Sequence, residues 1–171
     1  MASDVQKSIT ECRDILSDLR KSMEDSWRVQ AGNLADSMIN DVEAARRGLS
    51  HEDSNIRNVA LSILATNLEM RSNLQFTQTC ERMALFENDA AVRSNACACL
   101  GLCFTNTHDL RIASLLSKVV VSTVESVNAR YVAYVSLLMV MGRFDEWKSR
   151  AITFQFPEEV DWNIVQTYSQ S

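Results

Sequence analysis

Glycine and proline are almost missing: the 171 residues hold four of the first and one of the second. A many-stranded β fold needs far more turn punctuation, so the scarcity predicts long helices joined by short polar turns. No stretch approaches the roughly 18 apolar residues of a membrane span, so no membrane partner is expected. Basic excess is lacking too. Seventeen Lys and Arg face 22 Asp and Glu, for a net charge of −5, and no third of the chain is strongly basic. Backbone recognition needs concentrated Lys and Arg, so nucleic acid is not an expected partner. Met1-Ala2-Ser3-Asp4 lacks the basic region and apolar run of a secretory signal. Five cysteines (Cys12, Cys80, Cys97, Cys99, Cys103) are an odd set, mostly within apolar helical stretches. Buried free thiols in a reducing, cytoplasmic setting account for them. Gly-rich phosphate loops, HExxH and nucleophile-elbow motifs are absent from the sequence.

What is present is one phrase written three times. Asp53-Ser54-Asn55-Ile56-Arg57-Asn58-Val59-Ala60, followed by Leu64, is the first copy. Asp89-Ala90-Ala91-Val92-Arg93-Ser94-Asn95-Ala96, followed by Leu100, is the second. Ser126-Val127-Asn128-Ala129-Arg130-Tyr131-Val132-Ala133, followed by Leu137, is the third. The arginines are 36 and then 37 residues apart, each with alanine at +3 and leucine at +7. A self-similar period of this length is the signature of an α-solenoid. Ile56, Ala60, Ile63 and Leu64 share one helical face, as do Val92, Ala96, Cys99 and Leu100, so each copy buries an apolar side. Alanine at +3 keeps the cross-section small and lets helices approach closely. Asp53 and Asp89 stand where a side chain accepts from the free amides of a helix start.

The rest of the chain fits around these copies as one domain, 1–171. Val5, Ile9, Cys12, Leu16, Leu19 and Met23 form a 4-3-4-3-4 apolar stripe, extended by Trp27. That pattern predicts an N-terminal helix over 4–30 that caps the open edge of the first repeat, with a dimer seam as the other use of the stripe. Repeats are expected over 34–69, 73–104 and 109–142, and a C-terminal cap over 143–171. In that cap, Pro157 is expected in the first turn of a helix, with Glu158, Glu159 and Asp161 near its positive end.

The phrase of Asp, hydrophobic-Arg, Ala at +3 and Leu at +7 resembles the second helix of a HEAT repeat, over about residues 34–142. The resemblance implies an all-α fold, a right-handed α-α superhelix of three HEAT-like helix pairs with a capping helix at each end. It also implies that Arg57, Arg93 and Arg130 form a structural ladder with Asp53 and Asp89 between neighbouring repeats, a pairing that Ser126 interrupts in the third copy. The fold does not dictate a function.

Catalytic residues, metal ligands and cofactors are not expected. His51 and His108 lie in predicted turns beside Glu52 and Asp109, too few ligands for a di-iron site. Cys97 points away from Cys99 and Cys103 on one helix, so the three cannot hold one ion. Second helices line the concave wall of HEAT-type solenoids. The row expected to face outward there is Asn58, Ser62 and Ala65, then Ser94, Ala98 and Gly101, then Tyr131, Tyr134, Val135 and Leu138. A partner peptide or helix would lie on the small middle and anchor on the tyrosines. The expected function is thus a non-enzymatic protein-binding or scaffold module, with a homodimer as a further option. The alternative is an enzyme or accessory protein on the same scaffold, resembling bilin lyases or base-excision glycosylases; the glycosylase form requires a basic groove that this composition does not supply.

Overall fold

A computed structural model describes residues 42–149 and 154–170. The expected N-terminal helix over 4–30 lies outside the described residues. Those described are helical and contain no strand. Nine helices occur among them: α1 (Val42–Gly48), α2 (Ser54–Thr66), α3 (Leu68–Arg71), α4 (Leu74–Phe86), α5 (Ala90–Cys103), α6 (Leu110–Val121), α7 (Val127–Val140), α8 (Phe144–Lys148) and α9 (Trp162–Ser169).

Start signals lie where the sequence puts them. Asp53, Asn73, Asp89, Asp109 and Ser126 each accept from a backbone amide in the first turn of α2, α4, α5, α6 and α7. Each such cap satisfies a donor that the helix cannot pair internally, worth about 1 kcal/mol. Within the expected repeat 34–69, α2 stops at Thr66 because Asn67 is extended and its side chain accepts from Glu69 and Met70, starting the separate turn α3.

Neighbouring helices pack in pairs. Helix α1 packs on α2, α4 on α5, and α6 on α7; in addition α2 packs on α5, and α5 on α7. The three phrase-bearing helices therefore lie side by side. Their shared spacing points inward: Ala60, Ala96 and Ala133 are fully buried, as are Leu64, Leu100 and Leu137. Ile112 and Leu116 of α6 join them. Each such large side chain removed from water contributes about 1.5–3 kcal/mol.

The C-terminal segment departs from expectation in detail. Residues 156–159, Pro157 included, form a turn, and the helix begins only at Trp162, capped by Asp161. Helix α9 packs on α6 and sinks Val165 into the common core. Among the described residues, no helix is long and apolar enough to cross a membrane.

Candidate functional site

The arginines of the phrase are held where one helix meets the next turn. Arg57 grips Glu87 with two hydrogen bonds, Nε to Oε2 at 3.1 Å and Nη2 to Oε1 at 2.6 Å. Its Nη1 donates to the carbonyls of His51 and Glu52. Arg93 repeats this on Glu125, at 2.8 and 2.9 Å, and donates to the carbonyls of Glu87 and Asn88. Each guanidinium thus ties its own turn to the following one. The carboxylates it grips are glutamates rather than the aspartates the resemblance implied. Asp53 and Asp89 accept from backbone amides at their helix starts, and Asp89 also feels the Ser54 hydroxyl and the Arg57 charge of the preceding copy. Arg130 has no following copy; its Nε donates to Val120 O and its guanidinium lies 5.5 Å from the centre of the Phe156 ring.

Glu87 shows the balance of forces in such a link. Burial pushes its carboxyl up, but the Arg57 guanidinium and the amides of Asp89 and Asn88 more than offset this and hold it below its ordinary value. For Arg93 the Glu125 carboxylate dominates and raises the guanidinium further.

The outward row divides sharply. Counting from each arginine, the +5 positions Ser62, Ala98 and Val135 are exposed or half-exposed in all three copies. The +8 positions Ala65, Gly101 and Leu138 are buried in all three. At +1, Asn58 is half-buried, Ser94 is buried, and Tyr131 is half-buried beneath other rings. Tyr134, at +4, is 3% exposed. The open positions are instead +2 (Val59, Asn95, Val132), +5, and +9 (Thr66, Leu102, Met139), none of them buried. At 100° per residue the open face is rotated by roughly 65° from the expected row. The cause is the side-by-side contact of second helices, which consumes the +1, +4 and +8 side. A Cβ added to Gly101 would sit 2.9 Å from Ser136 Cα, showing how closely α5 and α7 approach there.

The tyrosines are taken by the chain's own C-terminal segment. Tyr134 stacks on Phe154 at 5.7 Å, and its hydroxyl accepts from the Asp161 amide at 3.1 Å. Tyr131 meets Trp147, Phe154 and Phe156 at 5.9–6.4 Å between ring centres. Arg143 joins Asp161 at 2.9 Å and Glu146 at 2.8 Å, pinning the segment to the end of α7. The Arg143 guanidinium lowers the Asp161 carboxyl, assisted by the Ile164 and Asn163 amides.

On the open face, Asn95 Nδ2 donates to Asn58 O, Asn58 Oδ1 and Ser62 Oγ, at 2.9, 2.7 and 3.0 Å, bridging α2 and α5. Ala98 and Val135 continue the surface across α5 and α7. The face carries no titratable group among the nine positions named.

The remaining chemistry-bearing groups are the histidines and the cysteines. His51 Nδ1 accepts from the Asp53 amide, while the His108 amide donates to Val140 O from an exposed turn. The Cys99 thiol and burial together push the Cys80 thiol far up. Burial lifts Cys97 to about 12, and burial with the neighbouring Cys99 does the same to Cys103. A thiol in that range is almost wholly un-ionised at neutral pH and is a poor nucleophile.

The sequence analysis missed Glu87 and Glu125 as ladder partners, and Asn95 as the bridge. A carboxylate 30 and 32 residues beyond each arginine was the available signal. Compared with protein-family models, curated proteins and solved structures, the chain matches none.

Proposed function

We propose that this chain is a HEAT-like repeat module that binds a protein partner, without chemistry of its own, through the open face of α2, α5 and α7. The carrying observation is the makeup of that face: Ser62, Ala98 and Val135 occupy the same repeat position on three helices lying side by side. Small uncharged side chains let a partner helix come close and are cheap to desolvate. The flanking Val59, Val132, Leu102 and Met139 supply apolar contact, and Asn95 the polar register. The links Arg57–Glu87 and Arg93–Glu125 support reading the helices as copies of one unit, since they recur at the same place in successive copies. A face held this way is preorganised, which lowers the ordering cost of binding. The suppressed thiols favour binding over nucleophilic catalysis.

The test is affinity capture from cell extract with the full chain, Ala98→Arg and Ser62→Arg, with Asp145→Arg as a control on the exposed side of α8. Proteins retained by the wild type and the control but lost by both face variants, at unchanged melting temperature, are the expected result. Capture insensitive to both face variants refutes the reading.

A further inference from the structure

The other side of the molecule carries a different surface. Leu74, Gln78, Arg82 and Phe86 follow one another at intervals of four along α4, and all are exposed, Leu74 at 69% and Phe86 at 76%. They form a single ridge with an apolar residue at each end and a cation between. Arg82 makes no hydrogen bond or ion pair with any described residue, unlike the arginines of the repeat phrase. It stands on the shared wall of two adjoining clefts. The first, about 150 Å³, has Leu49, Met70 and Phe76 among its lining and Arg46 opposite. The second, about 490 Å³, runs past His51 to Phe86 and has Glu52 and the Arg57–Glu87 pair in its lining.

Charge favours one kind of occupant. Helices α1, α4 and α6 bear Arg46, Arg47, Arg82, Arg111 and Lys118 against only Glu43 and Glu81. Both of those carboxylates are already engaged, by Arg46 and Arg111. In a chain of net charge −5 the first cleft, lined by Arg46 and Arg82 without a carboxylate, is locally positive, and the ridge's exposed apolar ends are too large to leave for ions alone. Five cations over three helices are too sparse for a phosphate backbone, which rewards dense Lys and Arg.

We propose that this ridge docks an acidic, partly apolar segment of a partner protein, with a carboxylate on Arg82 and apolar side chains against Phe86 and Leu74. The spacing sets the motif. Leu74 to Phe86 spans about 18 Å at 1.5 Å per residue, which five or six extended residues cover. Arg82 lies about 6 Å from Phe86 along the axis and about 12 Å from Leu74. The carboxylate therefore falls about two residues from one apolar anchor and about four from the other. This surface is independent of the open face of α2, α5 and α7, and the variants that test it are different.

The experiment is selection of a phage-displayed random 12-residue library on the full chain, with enriched peptides synthesised and titrated by fluorescence anisotropy. Enrichment of Asp or Glu between apolar residues is the expected outcome. Binding falls about tenfold for Arg82→Glu and also weakens for Phe86→Ala, each with an unchanged melting temperature, and declines as salt rises. Peptides without acidic enrichment, or peptides bound equally by Arg82→Glu, overturn the proposal. Displacement of the peptides by an oligo-dT 20-mer at equal concentration overturns it in favour of a general polyanion surface. Self-association of the wild type that Arg82→Glu abolishes, read by analytical ultracentrifugation, overturns it in favour of a second copy as occupant.

Discussion

Replacing Gly101 by alanine tests the side-by-side packing with an effect whose sign is informative. Gly101 lies within α5, where an ordinary Gly→Ala change stabilises a helix by about 0.5–1 kcal/mol through backbone entropy. Here the new Cβ would meet Ser136 Cα and Cβ at 2.9 Å, and Ser136 Oγ at 3.0 Å. The preferred separation of such carbons is about 3.5–4.0 Å, and a backbone carbon cannot swing aside. Relief requires α5 and α7 to part by a large fraction of an ångström, loosening the contacts that bury Leu137 and Leu138. Overpacking of this kind costs about 1–3 kcal/mol, more than the propensity gain returns. The midpoints of the two ranges leave a net loss of about 1 kcal/mol, which lowers the melting temperature by roughly 2–4 °C in a chain of this size. Ala98→Gly on the open face of the same helix provides the reference, with an expected loss of about 0.5–1 kcal/mol from propensity alone. Thermal circular dichroism with urea titration reads both. A Gly101→Ala variant more stable than the wild type refutes the close approach of α5 and α7, and with it the assignment of the +8 positions to the helix contact.

Three further outcomes follow from the same structure. Tyr134→Phe strands the Asp161 amide and costs about 1 kcal/mol by urea titration, whereas Tyr134→Ala, which also empties the stack on Phe154, costs about 3–5 kcal/mol. The Asp89 carboxyl, lowered by the Val92 amide and the Ser54 hydroxyl, joins Glu87 and Asp161 in being held below ordinary values of 3.8 or 4.5. A depressed folded value stabilises above the unfolded one and is lost as pH falls through the folded value, so the melting temperature stays level above about pH 5 and declines below about 4.5, less steeply in Glu87→Gln. Iodoacetamide at pH 7.5 labels Cys80, Cys97 and Cys103 far more slowly in the native chain than in urea, as peptide mass spectrometry reports; equal rates contradict the suppressed thiolates.

Much of the helical framework was legible in the residues. The capping residues Asp53, Asp89 and Ser126, the alanine at +3 and the leucine at +7 act locally or through a single helical period, so they announce α2, α5 and α7 directly. The break at Asn67 was harder, because an asparagine within an apolar run also fits an uninterrupted helix until its side chain is seen to cap α3. Which side of the second helices faces outward was not readable. Ala65, Gly101 and Leu138 differ in size and hydrophobicity, and their shared burial arises from a neighbouring helix rather than from their own. Tyr131 and Tyr134 were legible as an aromatic pair, but their cover, Phe154 with Phe156, lies some 20 residues onward in a turn without a periodic signal. Glu87 and Glu125 likewise acquire meaning only when two distant turns meet.

The open face is tested most directly by a photo-crosslinking residue, p-benzoylphenylalanine, placed at position 98 and, for comparison, at position 145, followed by illumination in cells and mass spectrometry of the adducts. Adducts to a separate protein from position 98 that are missing from position 145 are the predicted result. Adducts equal at both positions, or none from position 98 while the chain remains folded, contradict a partner seated on α2, α5 and α7.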